Sequence, residues 1–178
     1  LDLNTIDDLS DGFGSVQIFL ESFADYLTQT NQSIYSLFPD VTTIRIPEEK
    51  DVISDDRAFR WFFHFHSEAE QGRQTHGHFH IYVGPQYFGE PASQKPSHII
   101  AVELDRDGDL DGFFVPNSWT TDEHMRAADE LKAPLLCFMT VKNSPSRLLD
   151  LWLAALTTFF SAEISELISR RDLFLNNM

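Results

Sequence analysis

Cysteine is nearly missing from this chain. Cys137 stands alone, so an internal disulfide and a cysteine-built zinc centre are both excluded. Its apolar setting, PLLCFMTV, predicts a buried, inert thiol rather than a nucleophile. Basic residues are scarce as well: 13 Lys and Arg face 28 Asp and Glu, a formal charge of −15. The longest basic cluster is Arg170-Arg171. A chain this acidic repels nucleic acid and anionic lipid, and neither is expected as a partner. No apolar run is long enough to cross a bilayer; the best, 148–160, is too short and contains Asp150. No signal-peptide pattern opens the sequence, so a cytoplasmic location is expected. A phosphate-binding loop, a dinucleotide fingerprint and a Gly-x-Ser-x-Gly elbow are also missing, which removes the commonest nucleotide and serine-hydrolase readings.

What is present predicts one α+β domain over residues 1–178, with 1–14 an irregular arm. Ser15 caps a helix over 16–29, whose Val16, Phe19, Leu20, Phe23 and Leu27 follow helical spacing. Residues 33–38 extend it or form a short turn, and Pro39 stops it. Residues 41–46 alternate as a strand, and 47–56 form a charged surface loop. Strands over 58–66 and 76–83 follow. An irregular, Gly- and Pro-rich connection, 84–97, leads to a strand over 98–104, a turn at Asp107-Gly108 and a return strand over 112–115. Thr120 and Glu123 have capping-box spacing and open a helix to about Leu131. Residues 135–141 read as a strand or a buried link. Asn143-Ser144-Pro145 starts a long helix to about Phe174, apolar nearly all round in its first half. The architecture is therefore an antiparallel sheet of about four to six strands, flanked by an N-terminal helix and a long C-terminal helix.

Five of the seven histidines lie in RWFFHFHSEAEQGRQTHGHFHIYV, residues 60–83. At a period of two, Phe59, Trp61, Phe63 and Phe65 face one way, and Arg60, Phe62, His64 and His66 the other. The next strand repeats the division: Gly77, Phe79, Ile81 and Val83 against His76, His78, His80 and Tyr82. Paired as an antiparallel hairpin, the two strands send the aromatic face to the core and collect the histidines opposite. A histidine-lined solvent face is the bland alternative, and for any single imidazole it is the better one. Five in register favour a site. Neutral imidazole ligates zinc and iron, and residues two apart on a strand, about 6.6 Å, bring rings within reach of one ion. The expected metal ligands are His64, His66, His78 and His80, joined by His98 at the start of the next strand. Glu68, Glu70 and Glu103 are possible carboxylate partners. His76 is the expected bystander, and His124, in the first turn of a helix, is expected at the surface.

Three motif matches fail on inspection. His64-x-His66-x-x-x-Glu70 has cupin spacing, but the preceding glycine and the second cupin motif are missing. His76-x-His78-x-His80 resembles the histidine-triad nucleotide hydrolases, but Gly77 and the helical tail do not fit them. Asp105, Asp107, Asp109 and Asp111 imitate a calcium loop, yet the twelfth position is Pro116, where an EF-hand needs glutamate.

The aromatic-His-x-His of residues 62–66, the His-Gly-His-Phe-His of 76–80, the strand opening on His98 and the Asn-x-Trp-x-Thr-x-Glu of 117–123 together resemble an uncharacterised proteobacterial family, a domain of unknown function. The resemblance covers roughly 58–174 and implies no activity. It implies that Asn117, Trp119 and Glu123 belong with the histidines. Asn117, Trp119 and Tyr82 are then the expected contacts to a small-molecule ligand. Three readings follow: a small metalloprotein or metalloenzyme holding zinc or iron; a metal-free hydrolase or transferase using one hairpin histidine; and a non-enzymatic binding module. No motif assigns a reaction or an oligomeric state.

Overall fold

The computed structural model describes residues 13–38, 51–66, 76–116, 123–138 and 146–177. Five strands form one antiparallel sheet in sequence order: β1 (Val52–Ile53), β2 (Phe59–His66), β3 (His76–Val83), β4 (Ser97–Leu104) and β5 (Leu110–Phe114). Among the described residues four α-helices accompany it: α1 (Phe13–Thr30), α2 (Ala128–Leu136), α3 (Arg147–Phe159) and α4 (Ser161–Asn176). The α+β class and the strand count agree with the sequence.

Alternation works as expected on β2 and β3. Trp61, Phe63, Phe79, Ile81 and Val83 are all fully buried, on the face covered by α3, against which α1 packs in turn. Phe79 meets Trp61, Phe63, Phe38 and Trp152 at ring-centre distances of 4.9–5.8 Å. Trp152 of α3 also packs on Phe23 of α1. The indole Nε1–H of Trp61 donates to Asp150 Oδ1 at 2.8 Å, pinning α3 to the sheet through a buried carboxyl group. Apolar side chains of this kind contribute about 1.5–3 kcal/mol each when fully buried, so this layer is the main source of stability.

Gly77 shows how tight that layer is. A Cβ there would lie 2.2 Å from Phe63 Cζ and 3.2 Å from the His64 carbonyl oxygen. Phe63 is fully buried and has nowhere to retreat. Gly77→Ala is therefore expected to cost about 1–3 kcal/mol in urea unfolding. Combined with Phe63→Leu it should cost less than the sum of the two single changes. Strict additivity would show that the clash is not the cause. Gly108, with φ at 89°, makes the turn between β4 and β5, as Asp107-Gly108 predicts.

Several expectations are corrected. Ser15 does not cap α1, because the helix already includes Phe13. Part of the supposed loop 47–56 is strand: Val52 and Ile53 pair with Trp61 and Arg60. The return strand starts at Leu110, two residues early. Glu123 opens no helix; α2 begins at Ala128 and carries Leu135 and Leu136, which were expected in a strand or link. His124 therefore lies outside any helix, its N–H bonded to the Pro96 carbonyl. Cys137 is exposed, not buried. The long C-terminal helix is two helices bent by 72° at Phe160. Its cap is Ser146, whose side chain accepts from the Leu149 N–H. The strand expected over 41–46 lies outside the described residues. No single described helix is long and apolar enough to cross a membrane.

Candidate functional site

β2 and β3 pair in the register that the alternation implies: His64 opposite His78, Phe62 opposite His80, Arg60 opposite Tyr82 and His66 opposite His76. Their polar face is a wall of rings. His64 lies 5.6 Å from His78 and 5.3 Å from His80, and His78 lies 4.7 Å from His80. Phe62 covers His64 and His80 at 4.8 Å each. Phe114 of β5 stands edge-on to His78 at 5.2 Å. His78 and His80 are 8% and 6% exposed, so this is a covered wall rather than a wet sheet face. Glu103, an expected carboxylate partner, sits opposite His78 on β4.

His98 reaches the wall by a different route. From Gly77 to Ile81 the β3–β4 pairing is regular, with Phe79 opposite Val102 and Ile81 opposite Ile100. Continued without change, that register would set His98 opposite Val83, on the core face. A bulge between Ile81 and Tyr82 shifts it by one residue, and His98 pairs with Tyr82 instead. One residue of slip exchanges the two faces of a strand. Ile99 is the extra residue, and it carries His98 to the histidine side.

There His98 is fully buried. Its ring stands 4.9 Å from Tyr82 and 5.1 Å from His80, and its Nε2 lies 2.9 Å from His80 Nδ1, a hydrogen bond between the two imidazoles. Its backbone N–H donates to Glu123 Oε2 at 2.5 Å. Burial, helped by the positive Arg171 and by His78, lowers the His98 pKa to about 3, so the ring is neutral over the ordinary pH range. Its Nδ1 is buried and has no partner among the described residues. Tyr82 is pushed well above the usual phenol range by burial, opposed by Arg60. The Arg60 guanidinium lies 4.7 Å over the Tyr82 ring and pairs with the buried Asp51 at 3.2 Å. Tyr82, an expected ligand contact, is thus packed inside the wall rather than presented at its surface.

Of the expected metal ligands, His64, His78, His80 and His98 are brought together. The backbones of His66 and His76 pair at the end of the ribbon, but their side chains lie outside the described structure, as do Glu68, Glu70, Asn117 and Trp119. Among the described residues, no group of three or more His, Cys, Asp or Glu side chains is arranged to hold a metal ion. The His80–His98 contact shows one reason. Two nitrogens on a tetrahedral ion at about 2.1 Å stand about 3.4 Å apart. At 2.9 Å these two share a proton. Glu123, which the family resemblance set beside the histidines and capping-box spacing set at a helix start, accepts from the His98 backbone N–H and starts no helix.

No curated protein and no solved structure matches the chain. A family model does: that of DUF6969, a domain of unknown function, aligns with residues 27–178, most of the chain, and the protein belongs to that family.

Proposed function

We propose that the histidine wall is an acid–base site for a small molecule, with His80 exchanging the proton and His98 positioning it. The observation that carries this reading is the 2.9 Å bond between His80 Nδ1 and His98 Nε2. A neutral His98 has one ring proton to place. With that proton on Nδ1, His98 Nε2 accepts from His80, and His80 Nε2 is left as a bare base. With it on Nε2, His98 donates to His80 Nδ1, and His80 Nε2 carries its own proton and is no base. In the first arrangement His80 Nε2 takes a proton from the substrate; the imidazolium so formed keeps its Nδ1–H on His98 Nε2 and returns the Nε2 proton in the next step, so the base becomes the acid while His98 stays neutral. The pairing of a reacting imidazole with a buried, oriented partner follows the logic of base and orienter in known hydrolases. On this reading, the aromatic-His-x-His, His-Gly-His-Phe-His and Asn-x-Trp-x-Thr-x-Glu motifs are the working parts of a family expected in proteobacteria.

The test has two arms. Nitrogen-15 spectra of the imidazoles should show His98 neutral at pH 5 and coupled to His80 through a shared proton; independent rings would remove the basis of the proposal. In a screen of activated acyl and phosphoryl esters, any turnover found should fall at least about 100-fold in His80→Gln. The same turnover should be unchanged in His124→Gln.

A second reading, a zinc or iron protein, rests on the triangle of His64, His78 and His80. Its sides are 5.3, 5.6 and 4.7 Å between ring centres. Three imidazoles on one tetrahedral ion hold their centres about 5 Å apart. The His64 and His78 rings are close to parallel, 13° apart, so a ring rotation is needed before their nitrogens converge. His98 is then not a ligand but the outer partner that orients His80, a kind of contact worth about 10–100-fold in affinity. Titration with Zn(II) or Fe(II) should give one ion per chain, lost in His64→Ala and weakened in His98→Gln. No uptake by the untagged protein rules this reading out and leaves the acid–base reading standing.

A further inference from the structure

A groove of about 390 Å³ lies beside the histidine wall, between β5 and α4. It falls in the size range of small-ligand sites, about 300–1,000 Å³. Its lining is apolar apart from two cations, Arg170 and Arg171, and it includes no acidic residue. In a chain with 28 acidic and 13 basic residues, that charge selection is unusual. Phe114 is common to both places: it lines the groove and stands 5.2 Å from His78 and 6.2 Å from His80. Arg171 ties the other rim together, donating to the Arg126 carbonyl and to Asp172. The segment running back from Arg126 to Glu123 ends on the His98 backbone. Groove and wall are therefore joined at two points.

The exposed rim is apolar too. Phe174 is 67% exposed, an ill-solvated place for a phenyl ring unless something lies against it. Arg170 uses Nε to bond Glu166 at 2.8 Å, and its terminal nitrogens make no other hydrogen bond among the described residues. That leaves the outer edge of the guanidinium open to a carboxylate, which it would grip by two parallel N–H bonds.

We propose that this groove holds the body of the molecule on which the histidine wall acts, and that this molecule is an amphipathic monocarboxylate. Its apolar chain lies over Phe114, Met125, Leu167 and Phe174, and its carboxylate pairs with Arg170. The proposal rests on the acid–base reading for what happens at the wall, but the binding itself does not.

Decanoate is the probe, followed on the full chain by the methyl signals of Met125 and Leu167 and by the imidazole nitrogens of His78 and His80. Saturable shifts of both sets are expected, with decyltrimethylammonium, the cation of matching length, leaving both unmoved. Arg170→Glu should weaken decanoate about tenfold or more. Arg170 is a surface residue, so this variant keeps its fold, which the unperturbed spectrum verifies. Leu167→Trp should fill the groove and abolish binding. Methyl signals that do not move, or that move equally for the cation, overturn the proposal. Methyl shifts without imidazole shifts also overturn it, by separating groove from wall, and leave the His80–His98 pair to its own tautomer test.

Discussion

Phe79→Ala is expected to remove about 3–5 kcal/mol of stability, the range for deleting a buried aromatic ring from a packed core. Phe79 is fully buried. Its ring is held by Trp61, Phe63, Phe38 and Trp152, which come from three separate segments of the chain. Aromatic neighbours of this size do not collapse into the space, so most of the cavity penalty is retained. A domain of this size has about 5–15 kcal/mol in hand, and a large part of it would go. Urea unfolding followed by the fluorescence of Trp61 and Trp152, both in contact with Phe79, measures it directly. Phe79→Leu should cost clearly less. Phe62→Ala, which trims a half-buried ring on the opposite face, should cost less still. A loss under about 1 kcal/mol for Phe79→Ala would mean that the core is not built around this ring. The consequence reaches the site, since Phe79 lies between His78 and His80 on one strand. Its anchoring on the core side is what holds their spacing on the other.

The second large effect is a dependence of stability on pH that His98 imposes. Its folded pKa, about 3, lies well below the value near 6.5 of an unfolded histidine. Between those values the unfolded chain binds a proton that the folded chain refuses, so stability falls as pH falls. Above about pH 6.5 the residue costs nothing; below it the loss grows by about 1.4 kcal/mol per pH unit, toward about 4–5 kcal/mol near pH 3. The direction follows from what surrounds the ring. It is fully buried, Arg171 and His78 oppose a positive charge, and the Glu123 carboxylate is engaged with the His98 backbone N–H. Unfolding free energies at pH 7 and pH 5 should therefore drop by about 2 kcal/mol more in the native chain than in His98→Gln. Comparing slopes removes the contributions that other titrating groups make to both proteins. Parallel slopes would mean that His98 is hydrated or already charged, and the neutral imidazole pair would fall with it.

The strands of the hairpin were legible because a half-buried ribbon must alternate, and Phe59 to His66 alternate cleanly. The same rule placed His64, His78 and His80 on one face. The family's span, 27–178, begins well before the 58–174 stretch whose motifs suggested it, so part of α1 belongs with the rest. Capping signals were less trustworthy. Thr120 and Glu123 have the spacing of a capping box, but a carboxylate satisfies any nearby N–H, and the His98 amide was within its reach. Cys137 looked buried because its neighbours in sequence are apolar. It follows the last turn of α2, where residues adjacent in sequence point in different directions, and it emerges at the surface.

From its sequence alone this protein was bound to be an acidic α+β chain with an aromatic layer and a histidine layer on opposite faces of one hairpin, because side-chain direction in a strand is set locally by the pleat. Which histidines become partners was decided only in three dimensions. By strict alternation His98 belongs with Ile100, Val102 and Leu104 on the core side. The one-residue bulge at Ile99, a product of how β3 and β4 fit together, turns it over to meet His80. Likewise, the 72° bend at Phe160 is marked by no proline or glycine, yet it brings Arg171 close enough to bear on His98. Register and helix direction depend on contacts between segments far apart in the chain, and a local pattern carries no record of those.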